Sequence, residues 1–213
     1  MKKVFYLLAA VLIAALLIFR WFYGAELLDD NSENVGIGKE HENIDDSSEI
    51  SDRENAILKG VRGYIQTKPK YKSKYYSGGY PDDGFGVCTD IVAFGMKNAG
   101  LDLRELVNAD IEENGADYGI DVPDKNIDFR RVKNLKVYFE HTAESLTTDI
   151  NKTDEWQGGD IVVFKNHIGV ISDKRNKHGV PYVIHHIRPN QKHYEEDILR
   201  KRHDIVGHFR IKQ

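Results

Sequence analysis

The sequence predicts an α+β domain in which N-terminal helices pack on an antiparallel β-sheet, preceded by one transmembrane helix. Three observations carry that expectation. Apolar residues recur at helical spacing from residue 52 to about 141 and at strand spacing from Asp160 onward. Helices first and strands later is the order of an α+β domain, not of alternating βαβ units. The chain also opens on Met1-Lys2-Lys3 followed by an apolar run over residues 4–19.

That first run is apolar on every face and is closed by Arg20, Trp21, Phe22 and Tyr23. With the aromatics it reaches the length of about 20 residues that a bilayer core requires. Arg20 suits a snorkelling position and Trp21 and Tyr23 suit the interfacial belt. Residues 1–23 are therefore expected to be a membrane anchor, or a secretion signal if cleaved, with the basic start inside and the remainder facing outward. Residues 24–51 carry Asp29, Asp30, Glu33, Glu40, Glu42, Asp45, Asp46 and Glu49 and few large apolar side chains. Such a segment cannot bury a core and reads as an acidic tether. The remaining span, 52–213, is the expected folded domain.

Within it, Ser51 and Glu54 form a capping-box pattern, and Ile57, Leu58, Val61 and Ile65 form the stripe of a helix over 52–66. A Lys- and Tyr-rich loop follows over 68–80. A second helix is expected from Cys88 to Gly100, with Cys88, Ile91, Val92, Met96 and Ala99 inward. A third is expected over 101–114, and a short one over 132–141. Residues 115–131 read as irregular. Strands are expected over 160–164, 168–172, 182–187 and 205–211, close enough in sequence for an antiparallel sheet.

A formal net charge of -4 argues against a dedicated nucleic-acid binder. The chain has one cysteine, which excludes an intrachain disulfide and any zinc site needing two thiolates. No cofactor and no metal is expected. The lone Cys88 stands where the glycine-rich stretch Gly84-Phe85-Gly86 enters a helix. A helix start favours a thiolate through its partial positive charge and free N–H groups. A nucleophilic thiol also needs an oriented base. His167 opens one strand and His185 lies on another 18 positions later, so a turn near His178-Gly179 would set them side by side. A packing role for Cys88, and a chance neighbour among nine histidines, remain open on spacing alone.

In order, Tyr75-Tyr76-Ser77-Gly78-Gly79, Cys88 at a helix start, Trp156-Gln157-Gly158-Gly159-Asp160-Ile161-Val162-Val163-Phe164, His167-Ile168-Gly169-Val170-Ile171 and Val183-Ile184-His185 resemble the NlpC/p60 superfamily of papain-like cell-wall cysteine peptidases. More narrowly, Gly84-Phe85-Gly86-Val87-Cys88-Thr89-Asp90, Asn126-Ile127-Asp128-Phe129-Arg130-Arg131-Val132 and Gly207-His208-Phe209-Arg210 resemble the bacterial domain-of-unknown-function family 1287. The resemblance implies a papain-like NlpC/p60-type fold with Cys88 as nucleophile, His167 as base and His185 as orienting residue. It puts Tyr75 or Tyr76 beside an oxyanion, with Tyr75 favoured. Asp90, Arg130 and Arg131 are pocket candidates, since Arg forks suit substrate carboxylates. The sequence departs from the superfamily in Val87-Cys88-Thr89-Asp90, where Asp-Cys-Ser-Gly is typical, and in the long segment 101–156.

The expected activity is extracytoplasmic hydrolysis of an amide or peptide bond, in peptidoglycan stem peptides, through an acyl-thioester on Cys88. Two alternatives are an acyltransferase or deacylase acting on lipid or lipoprotein, and a non-catalytic envelope-binding protein of the same fold. The expected partners are the wall peptide or another amide substrate and, through the first 23 residues, the membrane.

Overall fold

The computed structural model describes residues 52–212. The expected anchor over 1–23, the acidic tether over 24–51 and the Ser51 cap lie outside the described residues. No described helix is long and apolar enough to cross a membrane.

The chain runs α1 (Asp52–Gln66), β1 (Lys70–Tyr71), β2 (Phe85–Gly86), α2 (Cys88–Asn98), α3 (Leu103–Tyr118) and α4 (Val132–Thr142). It continues through β3 (Glu144–Ser145), β4 (Ile161–Phe164), β5 (His167–Arg175), β6 (Pro181–Ile184), β7 (Glu195–Glu196) and β8 (Ile205–Arg210). The main sheet has the order β3-β8-β4-β5-β6-β7 and every pairing in it is antiparallel. The α+β class is that expected from the sequence, and the main sheet follows the helices; β1 and β2, between α1 and α2, form a separate parallel pair.

The helices form because their apolar stripes have a sheet face to cover. Ile57, Leu58 and Val61 of α1 are buried, as are Ile91, Val92 and Met96 of α2. They join Ile161, Val163, Ile168, Val170 and Phe209 of the sheet in one core. Alternation then sends Val162 and Phe164 of β4 to the opposite face, where they pack with Trp156, Ile171, Val183 and Leu199. Both faces of β4 are thus buried, so its four residues read as an unbroken apolar run.

Helix α3 extends to Tyr118, beyond the expected end at residue 114. Asn114 has non-helical dihedrals and marks a kink, and Gly119 ends the helix in the left-handed region at φ 58°. Tyr118 is fully buried and bonds the Asp110 carboxylate one face back, which draws the extra turn inward. Part of the stretch expected to be irregular is therefore helical, and a 3₁₀ turn spans Asp128–Arg130.

A buried polar knot ties the sheet to α1. Asp160 accepts from His208 Nε2 at 2.9 Å and from Arg210 Nε at 2.8 Å. Arg210 also pairs with Glu54 at 3.1 Å, and Trp156 stacks flat on His208 at 3.8 Å. Gly159, at φ +97°, turns the chain here; a Cβ would stand 2.7 Å from Glu54 Cβ.

Candidate functional site

Cys88 comes from the first residue of α2, and the two histidines come from the sheet. Val87 precedes the helix in extended conformation, and its N–H donates to Asp90 Oδ2 at 2.7 Å. That bond fixes the entry angle of the chain and hence the direction of the Cys88 side chain. The backbone N–H groups of Ile168, Thr89 and Cys88 itself all favour a thiolate. The Ile168 donor sets the sulfur against the start of β5, one residue on from His167 in sequence. Burial outweighs these donors and pushes the Cys88 thiol up to about 11. The helix start acts in the expected direction, but the resting group is a buried, protonated thiol, 7% exposed.

His167 and His185 meet because β5 and β6 pair with Val170 opposite Ile184. One step further, Gly169 falls opposite His185. A Cβ on Gly169 would stand 2.7 Å from Val183 Cγ1 and 3.3 Å from His185 Cβ, so only glycine lets His185 lean toward His167. His167 Nε2 lies 3.1 Å from His185 Nδ1, with the rings edge to face. The other side of the His167 ring stacks on Phe164, and Arg202 covers that phenyl at 4.3 Å. Burial, first, and the neighbouring His185 push His167 down to about 3, so it is a neutral imidazole. With Nε2 engaged by His185, Nδ1 is the nitrogen free to serve the thiol.

Beyond His185, its Nε2 lies 3.3 Å from Glu196 Oε2. His186 alternates away and wedges between Tyr71 and Tyr194, edge-on to each at 5.1 Å. Burial lowers His186 to about 4. Among the described residues, no group of three or more His, Cys, Asp or Glu side chains is disposed to hold a metal ion.

The remaining expected site residues are spread out. Tyr75 is 59% exposed and reaches toward Asp124 at 3.5 Å and Asn126 at 3.4 Å, not toward the thiol. The Tyr76 hydroxyl donates to Asp83 at 2.8 Å, and its ring faces the Arg130 guanidinium. Asp90 and Arg130 are consumed by each other: Nε–Oδ1 is 2.7 Å, Nη2–Oδ2 is 2.9 Å, and both side chains are buried. Arg130 also donates to the Lys74 carbonyl at 2.7 Å, and its own carbonyl accepts from Thr89 at 3.1 Å. The pair staples the Lys-rich loop and the 3₁₀ turn to the start of α2, with no fork left over for a ligand. Arg131 is solvent-facing and pairs with Asp128 at 3.6 Å.

Two residues unforeseen in the sequence stand closer. Tyr71 on β1 pairs with Gly86, two positions before Cys88. Burial, and then the charge of a Cys88 thiolate, raise its phenol above the ordinary 10.0, which puts its hydroxyl in the thiol's field. Glu196 is the second. Both lie on two-residue strands, which leave no periodicity to read.

Two surface clefts lie outside this cluster. One, of about 860 Å³, runs along α1 and α2 past Lys59, Arg62, Tyr64 and Phe94. The other, of about 500 Å³, is lined by Ile65, Lys68, Pro69, Lys70, Lys192 and Tyr194. The second reaches the site through the aromatic chain Tyr194, His186, Tyr71.

Residues 58–211 match the model of a domain-of-unknown-function family, DUF1287. The chain is similar to the uncharacterized protein YijF of Escherichia coli (strain K12), at 37% identity over 168 residues, covering 73% of this chain and 80% of that protein. No solved structure matches.

Proposed function

The chain belongs to the DUF1287 family, and from that premise we propose that it is a cysteine hydrolase cleaving an amide or peptide bond. The observation that carries the proposal is that Cys88, at a helix start, takes a backbone donor from Ile168, the residue after His167, while neutral His167 is itself held by His185. Nucleophile, base and orienting group in line are what acyl transfer by a thiol requires. The reading is also that of the papain-like NlpC/p60 superfamily, which the ordered motifs resemble.

In this mechanism His167 Nδ1 takes the Cys88 proton as the sulfur attacks the substrate carbonyl carbon. The carbonyl electron pair moves to oxygen, for which the Cys88 N–H and the Tyr71 hydroxyl are the proposed donors. Collapse breaks the C–N bond, and the amine leaves with the proton from His167. Water, deprotonated by His167, then attacks the thioester, giving a carboxylic acid and restoring the thiol. Starting from neutral thiol and neutral imidazole, the proton moves during attack and not before it.

The substrate proposed is a stem peptide of peptidoglycan. The site proposed for the work is the outer face of the membrane, from the basic start and apolar run of residues 1–23. Incubation with purified muropeptides, followed by mass spectrometry, should show a cleaved stem for the wild type and none for Cys88→Ala at equal folding. Equal cleavage by the variant would end the thiol mechanism.

One observation favours a second reading, a non-catalytic envelope-binding protein. The thiol is buried and raised to about 11. Iodoacetamide separates the two. An oriented base gives labelling of Cys88 that follows the titration of the histidine, whereas a packing thiol labels slowly and only as pH approaches its own raised pKa.

A further inference from the structure

We propose that Glu196 is a positioning residue of this site, the outer member of a line Glu196, His185, His167, Cys88. Its chemistry rests on the hydrolase reading above; its geometry does not.

His185 Nε2 is buried and makes no aligned hydrogen bond among the described residues. The group that faces it is the Glu196 carboxylate, 3.3 Å away. The opposite ring nitrogen, Nδ1, faces His167 Nε2 at 3.1 Å. A neutral imidazole has one donor nitrogen and one acceptor, and a carboxylate only accepts. Glu196 therefore places the His185 hydrogen on Nε2 and leaves a lone pair on Nδ1. His167 must then present Nε2–H to that lone pair, and its own Nδ1 is left as an acceptor for the thiol proton. Without Glu196, His185 is free to carry its hydrogen on Nδ1 and donate to His167 Nε2. That turns His167 over, so a donor faces the thiol and the base is lost.

The placement of Glu196 follows from its strand. β7 pairs with β6, Val183 opposite Glu196 and Ile184 opposite Glu195. Successive residues face opposite ways. Glu195 meets Ser172, Arg62 and Lys174, while Glu196 turns to His185. The second Glu196 oxygen is held by Arg188 at 3.4 Å. The other titratable and charged groups facing the two rings are His186, Arg188, Arg202 and Asp204. Burial, first, and then the two arginines lower the imidazoles, against the raising pull of Glu196 on His185, so the rings rest in the neutral state where tautomer order matters.

The test is nitrogen-15 NMR of the imidazole rings in the full 213-residue chain, with Glu196→Gln and Glu196→Ala beside it. The wild type should hold both His167 and His185 as the Nε2–H tautomer. Glu196→Gln, whose amide oxygen still accepts, should keep that order, and Glu196→Ala should mix it. Cys88 alkylation near neutral pH should slow by on the order of tenfold in Glu196→Ala, the lower end of what losing the partner of a working histidine costs, and be largely rescued in Glu196→Gln. Muropeptide turnover should fall in kcat with KM unchanged. A wild-type His185 carrying its hydrogen on Nδ1, or unchanged tautomers in Glu196→Ala, would overturn the proposal. The wild-type spectrum decides even if the alanine variant fails to fold. Correct tautomers in a wild type that turns over no amide would support the line while removing the hydrolase reading.

Discussion

Cys88 and its three neighbouring imidazoles share one physical condition: each is held neutral by burial. His167 is lowered to about 3, His186 to about 4, and His185 in the same direction, while the thiol is raised to about 11. In the unfolded chain the histidines titrate near 6.5, so below that pH the unfolded state binds protons that the folded state refuses. Stability must then fall as pH drops from about 6.5 toward 4. The thiol acts at the other end. Above its ordinary 9.0 the unfolded chain loses a proton that the folded chain keeps, so stability falls again as pH rises toward 11. Urea midpoints should be lower at pH 5 than at pH 7.5, and His186→Phe should flatten the acid limb, since that ring sits between two tyrosines with Nδ1 unpartnered. Equal midpoints at the two pH values would mean that these side chains are hydrated and the site is open. At this scale the sequence was readable where a residue begins an element, as Cys88 and His167 do, or directly follows one, as His185 does. It was not readable for Asp90 and Arg130. Their polar types suggested a pocket, but an ion pair spanning 40 positions leaves no local trace.

The elements differ in how openly the sequence announces them. α1 and α2 carry apolar stripes at helical spacing, and their extents, Asp52–Gln66 and Cys88–Asn98, follow from those stripes within two residues of the expected end. α3 was underestimated because its last turn, beyond the kink at Asn114, is secured by the buried Tyr118 bonding back to Asp110 and not by the stripe. β1, β2, β3 and β7 are two-residue strands, each created by the partner it meets. The pairing of β5 with β6 matters most for the site, and Gly169 is its hinge point. Gly169→Ala places a methyl 2.7 Å from Val183 Cγ1 and 2.9 Å from the Ile184 carbonyl. β6 must then move away, at a cost of roughly 1–3 kcal/mol by the usual scale of overpacking. The same shift draws His185 off His167. The expected outcome is a lower urea midpoint together with slower Cys88 alkylation in the protein that remains folded. Loss of stability with unchanged alkylation would show that the two rings do not depend on this close approach.

Across the whole described domain, Cys88 belongs to the helical layer and His167 to the sheet, so the cluster exists only where the two layers close on each other. One core runs through that seam, joining α1, α2, α3 and α4 to β4, β5, β6 and β8. A second core lies on the far side of the sheet around Trp156. β4 belongs to both, since Ile161 and Val163 enter the first and Val162 and Phe164 the second. The polar knot of Asp160, His208, Arg210 and Glu54 crosses from sheet to α1 as well. Neither layer can leave without exposing the apolar face of the other and breaking the Arg210–Glu54 ion pair. Helices and sheet should therefore unfold in one transition. Trp156 reports the far core and far-UV circular dichroism reports the helices. With Trp21→Phe in place, Trp156 is the remaining tryptophan of the two in the chain. Its fluorescence and the helical signal should lose structure at the same urea concentration. Sub-denaturing urea should then raise Cys88 alkylation only in step with that global transition. If the helical signal melts first while Trp156 stays protected, the seam is a joint between separable layers. Access to Cys88 would then come from lifting the helices off an intact sheet.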